Sequence, residues 1–394
     1  MATGTDTVGI SEFAVWALPT HYPMAQLIGH FGIDGQDTLL MLADDRTAPF
    51  TGQPMAIQDV IDAAPDLVIL RGGSINDLQS VSASSASTAV SNCLTNHRTI
   101  LQRMVNGGLK VLDCGIFGYG DGSLANNSNP TVVRNALLQV NAGLATMAGS
   151  FGSSVRYVSP LNTLHDSTGR FLSGMTIDGL HLSLAGGLAQ AKLEADAMTA
   201  WLGAGTGTAY PGTNLMLNAA MTATGAPGVT PTGYSAAGSN AAVSNQLVET
   251  IGGKTFFTTR ASLPIGSSSV VMRLPFKLSG LATNEVIGCE FDFLCERVSG
   301  STPRLTEFDA RQEYVWSGGR ITHYAGYSAR ATSAATTTAA SLTGRVVFLP
   351  FKLPASGATF DSANQSDLWL NLGFGTSASS VVKVGVGNPR LVRA

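Results

Sequence analysis

The chain has 394 residues, long enough for two ordinary domains with a core each. Only 12% of its residues are charged and its formal net charge is −3, which excludes a protein built to grip a nucleic-acid backbone. No apolar run approaches the length of a membrane-spanning helix, so no membrane span is expected.

The N-terminal stretch has neither a basic region nor an apolar one, so no secretory leader is read there. Cys93, Cys114, Cys289 and Cys295 form no C-x-x-C pair, and the histidines show no metal-ligand spacing. Buried free thiols are expected, with no metal and no cofactor. Charge is unevenly spread: residues 1–209 carry 9 Lys/Arg against 16 Asp/Glu, residues 210–394 carry 14 against 10. An acidic half followed by a basic half suggests two modules.

In chain order, residues 1–205 alternate strand and helix patterns, the mark of a parallel sheet with helices on both faces. Thr7–Ile10 is a short strand candidate, and 23–31 reads as a helix with Pro23 in its first turn. Thr38–Leu42 reads as a second strand and Met55–Ala63 as a helix. The apolar run Leu67–Leu70 reads as a buried central strand, ending in Arg71-Gly72-Gly73-Ser74-Ile75-Asn76-Asp77. Ser80–Ser91 is a solvated insertion or a helix start, followed by a helix over 92–106. Lys110–Cys114 is a strand, 131–148 a helix and Val155–Val158 a strand. A loop, Leu164–Thr176, then delivers Asp178-Gly179-Leu180-His181-Leu182-Ser183. Apolar spacing from Leu184 to Leu202 predicts a helix behind it.

An Asp and a His with two residues between them can share one loop. The carboxylate then reaches one imidazole nitrogen and leaves the other facing a cleft, the arrangement of a general base held in one tautomer. The competing reading is a surface turn in which Ser183 caps the helix. In open parallel sheets, sites form at the carboxyl ends of strands. Ser11, Asn76 and the Asp178–His181 loop all fall at such ends.

Here PDLVILRGGSIND and DGLHLSLAGG resemble the third and last blocks of the SGNH (GDSL-like) hydrolases, a likeness that covers about residues 6–203. That resemblance implies a three-layer α/β/α fold and ester hydrolysis. It implies Ser11 as nucleophile, His181 as base and Asp178 as its orienting acid. The oxyanion donors it implies are Ser11, Gly52 and Asn76. The chain departs from the family at its first block, where Ile10 stands in place of an Asp before the serine.

Residues 206–213 are Gly/Thr/Pro-rich and read as a linker. Over 214–394 the pattern becomes short alternating segments bounded by Gly, Ser and Pro, which predicts an antiparallel β-sandwich. Strands are expected at Lys254–Arg260, Ser269–Leu274, Val286–Phe293, Arg345–Phe351, Leu368–Phe374 and Val381–Val386. The stretch 331–343 reads as a surface loop. Asn214–Asn218, Pro231–Tyr234 and Gly387–Leu391 resemble the opening and closing of jelly-roll carbohydrate-binding modules. Tyr314, Trp316 and Tyr324 are the candidate sugar-stacking aromatics. The competing fate for each is a place in the sandwich core.

The expected function is a serine esterase of SGNH type that O-deacetylates a polysaccharide or other glycan ester, with a C-terminal sugar- or surface-binding module. The rival is a non-catalytic glycan-binding attachment protein, a fibre or spike component of a phage-like particle. An extracellular or virion-associated location is expected. Homo-oligomerisation and attachment to a larger particle are left open.

Overall fold

The computed structural model describes residues 18–22, 31–32, 35–47, 54–71, 75–121, 127–176, 178–204, 209–210, 212–216, 219–221, 231, 233–276, 281–282, 284–316, 319–328, 341–348, 350–353 and 366–393. These form two compact units, one drawn from 31–204 and the other from 18–22 and 209–393. The strand candidate Thr7–Ile10 lies outside the described residues, as does nearly all of the helix expected over 23–31. A short helix, α1 (Leu18–His21), opens the described chain and belongs to the second unit.

The first unit continues with α2 (Thr38–Met41), α3 (Ile57–Asp62), β1 (Val68–Leu70), α4 (Ala86–Asn106), β2 (Val111–Cys114), α5 (Pro130–Ser150), β3 (Val155–Val158) and α6 (Leu184–Leu202). The strands pair in parallel in the order β1-β2-β3, with Leu70 opposite Asp113 and Asp113 opposite Tyr157. Alternation along β2 distributes the helices. Val111 packs in one buried cluster with Ile100, Leu101 and Met104 of α4 and Met147 and Ala148 of α5. Asp113, two residues on, faces the same way and meets His97 of α4. Cys114 faces oppositely and reaches Glu194 of α6. Helices therefore cover both faces of the sheet, as the α/β pattern predicts.

Helix α4 buries Val90, Cys93, His97, Ile100, Leu101 and Met104, a stripe at three- and four-residue steps. It begins at Ala86, inside the Ser/Ala tract. Thr38–Leu42 is a correction: it forms a helical turn rather than a strand. Asp37 caps that turn by accepting the Leu40 N–H at 2.8 Å. Thr38 is then tied at both its backbone N–H and its hydroxyl to the Asp77 carboxylate. The cap and this long-range anchor override the β-branched, apolar look of the segment.

The second unit is an antiparallel sandwich of two sheets. Its strands are β4 (Ser235–Ser239), β5 (Ala242–Ile251), β6 (Lys254–Leu263), β7 (Gly266–Phe276), β8 (Val286–Gly300), β9 (Arg304–Trp316), β10 (Gly319–Ser328), β11 (Ser341–Val347), β12 (Phe351–Lys352), β13 (Ser366–Thr376) and β14 (Ser380–Arg393). One sheet runs β10-β9-β13-β7-β4; the other runs β11-β8-β14-β6-β5, with β12 beside β8. Period-two burial builds the core. Val270, Met272 and Leu274 of β7 line up with Leu372, Leu370 and Leu368 of β13, all buried. Val382, Val384 and Val386 of β14 form a corresponding buried row in the other sheet. Phe293 of β8 meets Phe308 of β9 edge-on at 4.8 Å between ring centres, joining the two sheets.

The start of this unit is fastened to it. Ala209 and Tyr210, within the stretch read as a linker, are buried. The Ala209 N–H donates to Glu290, and the Tyr210 hydroxyl donates to the Phe348 carbonyl at 2.5 Å. Tyr210 lies over Gly288, where an added Cβ would come within 2.2 Å of the ring, so only glycine fits. Asn214 donates to the Pro389 carbonyl, and the Leu215 N–H to that of Leu391. On the edge strand β11, the Arg345 N–H donates to the Thr20 hydroxyl of α1 at 3.0 Å.

Candidate functional site

The Asp178–His181 loop is a closed turn. Thr176 and Leu182 pair across it as an isolated antiparallel bridge, and the Ser183 N–H donates to the Met175 carbonyl. The Thr176 hydroxyl donates to the His181 carbonyl at 2.7 Å and accepts the Gly179 N–H at 2.9 Å. Gly179 has φ +88°, in the left-handed region. Its carbonyl accepts the Gly120 N–H, and a Cβ on Gly120 would sit 2.7 Å from the Gly179 Cα. The strand-to-helix loop after β2 is thus packed directly against the turn. Ser183 caps α6 by accepting the Gly186 N–H, so the turn passes straight into that helix.

Within this frame Asp178 and His181 meet. His181 Nδ1 lies 2.6 Å from Asp178 Oδ2. The other oxygen, Oδ1, accepts the backbone N–H groups of Leu180 at 2.9 Å and His181 at 2.7 Å. Partial burial pushes the Asp178 carboxyl up. The His181 N–H, the His181 ring and the Leu180 N–H outweigh that and hold it below its ordinary value. The group is therefore an ionised acceptor at neutral pH. An ionised carboxylate has no proton to donate, so Nδ1 carries the hydrogen and Nε2 keeps its lone pair. Both side chains retain some exposure, 19% for His181 and 15% for Asp178. Among the described residues, the ring hydrogen bond of His181 is made at Nδ1. Chemically, this is a base with its acceptor nitrogen available.

Asn76 lies in a 3-10 turn, Ile75–Asp77, beyond the end of β1. Its amide donates to the Gln36 carbonyl at 3.0 Å, and its carbonyl accepts from Gln79 at 3.1 Å. The neighbouring Asp77 anchors Thr38, so the turn is pinned on two sides. Ser11 and Gly52, the expected nucleophile and glycine donor, lie outside the described residues, as do Ile10 and Gly73. Tyr314 and Trp316 are on β9 and Tyr324 on β10. Register pairs Tyr314 with Ile321, Trp316 with Gly319 and Tyr324 with Arg311. No cluster of His, Cys, Asp or Glu suited to a metal occurs among the described residues. Sequence reading passed over Thr176, which braces the turn from both ends. A threonine two residues before an Asp is too common a pattern to have revealed it.

No protein-family model matches the chain, and no curated protein matches its sequence. Among solved structures, a candidate acylhydrolase from Bacteroides fragilis NCTC 9343 has 19% identity and a TM-score of 0.33, over 43% of this chain and 74% of its own. An acetyl xylan esterase has 17% identity and a TM-score of 0.29, over 43% of this chain and 77% of its own. A xylan-binding domain from Paenibacillus barcinonensis has 17% identity and a TM-score of 0.22, over 41% of this chain and 87% of its own. The chain is thus distantly similar to esterase-like and carbohydrate-binding-like proteins.

Proposed function

We propose that the chain is a serine esterase of the SGNH type, acting on acylated glycans, with His181 as its general base. The observation that carries the reading is the Asp178–His181 pair. A carboxylate fixed by two backbone N–H groups sets the ring tautomer and leaves Nε2 as the proton acceptor. In this scheme Ser11 Oγ attacks the ester carbonyl carbon while its proton passes to Nε2. The C–O electron pair moves onto the carbonyl oxygen, held by the N–H groups of Ser11 and Gly52 and by the Asn76 amide. Collapse expels the alcohol, which takes the proton from His181, and water repeats the sequence on the acyl-enzyme. Glycan esters as substrate follow from the family resemblance and from the sandwich, on which Tyr314, Trp316 and Tyr324 would contact sugar.

The rival, a non-catalytic attachment protein, is favoured by one observation: the Asn76 amide already donates to the Gln36 carbonyl. A serine-directed phosphonate separates the two readings. The esterase reading expects label on Ser11, loss of label in Ser11→Ala, and turnover of a small aryl acetate. No label together with no turnover sinks it.

A further inference from the structure

The end of β1 and helix α6 are joined by a feature that the acyl-transfer scheme leaves unused. Arg71 follows β1 directly, and its guanidinium grips Glu194 of α6 with two parallel bonds, Nε to Oε1 at 2.8 Å and NH2 to Oε2 at 2.7 Å. Glu194 is fully buried and the Arg71 side chain is 14% exposed. The same carboxylate accepts the Gln190 amide at 2.5 Å, and the Cys114 thiol at the end of β2 lies 3.6 Å away. Burial pushes the Cys114 thiol well above its ordinary range, so it stays protonated and acts as a donor. One carboxylate therefore ties β1, β2 and α6 together across 123 residues of sequence.

A hydrophobic pair of the same volume would stabilise such a contact about as well, because desolvation offsets most of the Coulomb attraction. What the fork adds is geometry, since a bidentate guanidinium–carboxylate pair tolerates little sliding or rotation. The elements it aligns carry the candidate chemistry. β1 leads through Arg71 to the Asn76 turn, and α6 starts at the Ser183 cap immediately after His181. We propose that Arg71 and Glu194 are positioning residues: a buried clamp that keeps the Asn76 turn in register with the helix that presents His181. This rests on the esterase reading.

The test is the double substitution Arg71→Met/Glu194→Met, which removes the clamp without stranding a buried charge, with Arg71→Lys beside it. Thermal unfolding of each establishes that it folds. With a small aryl acetate, the double variant should lose about 100-fold in kcat, the scale of a site displaced by about an ångström. KM should move less than about twofold, because the loss falls on the transition state. The NMR resonance of the His181 Nδ1 proton should persist, because the bonds around it are local to the turn. Arg71→Lys, with charge but no fork, should fall between wild type and the double variant. A folded double variant with wild-type kcat and pH profile would make the pair purely structural. So would parallel losses in kcat and stability that Arg71→Lys does not share. Inactive and unlabelled wild type would instead overturn the esterase reading, and this proposal with it.

Discussion

Among its described residues the first unit holds two His–Asp pairs, and they differ in sequence separation, exposure and support. His181 and Asp178 are three residues apart, on a turn, partly exposed, with both carboxylate oxygens engaged. His97 of α4 and Asp113 of β2 are also in contact, Nε2 to Oδ1 at 2.9 Å, but both are fully buried. There His97 Nδ1 and Asp113 Oδ2 have no hydrogen-bond partner among the described residues. Short distance alone therefore does not set the two pairs apart. In the turn, backbone N–H groups support the acid and the free nitrogen is reachable. In the core, the pair fastens a helix to a strand, and its two remaining polar atoms are enclosed.

The two pairs should differ most in their effect on activity. His181→Ala should lower kcat for an aryl acetate by about 10,000-fold, the upper range for a general base, with little change in the unfolding midpoint. Asp178→Asn should cost on the order of 1,000-fold or more, because an amide can donate to Nδ1 and so favour the wrong tautomer. Kinetics on folded protein checks both. Equal activity in wild type and His181→Ala would remove the turn from the chemistry.

The buried pair should respond in the opposite sense. His97→Leu deprives Asp113 of its partner in a site without water access, and such a loss costs roughly 3 kcal/mol. Urea unfolding should show that loss, while turnover per folded molecule stays near wild type. Cys93, one helical turn before His97, gives a second readout. Burial pushes its thiol up to about 12, with Asp77 and Asp113 adding to the shift. Native wild type should therefore resist thiol reagents, and His97→Leu should label faster as this region opens. If stability is unchanged and turnover falls, the roles assigned to the two pairs are reversed.

The same contrast explains what could be read from sequence. Asp178 and His181 were legible because their contact is local: the spacing allowed a shared turn, and the surrounding block favoured it over an incidental one. The Asp113–His97 and Arg71–Glu194 contacts were not, since each joins elements whose meeting depends on the finished sheet. Thr38–Leu42 misled for a similar reason: Asp77, distant in sequence, holds Thr38 in a helical turn. In the sandwich, the buried alternation of β7, β13 and β14 was plain. Strands β4 and β5 were passed over because they are half exposed and rich in Ser, Ala and Asn. Strand β9 was passed over because charged residues interrupt its buried row of Phe308, Ala310 and Gln312.

The smallest expected effect, on acid stability, isolates the electrostatic part of the turn. Asp178 titrates below its ordinary value of 3.8 in the folded protein. A carboxyl depressed in this way binds its proton more weakly folded than unfolded. Its contribution to stability is therefore fully present above the unfolded value and fades as pH falls through the folded one. Asp166 and Glu285 are depressed as well, so acid unfolding of wild type alone would mix several groups. Comparison with Asp178→Asn cancels them, because both proteins keep those residues. The stability difference between wild type and Asp178→Asn in urea should shift against wild type as pH falls below the ordinary aspartate range and Asp178 takes up its proton. A difference that stays constant through the acid range would mean that the two backbone N–H groups and the ring do not hold the carboxylate in solution. The turn would then present His181 without a fixed tautomer, and its distinction from the buried pair would rest on exposure alone.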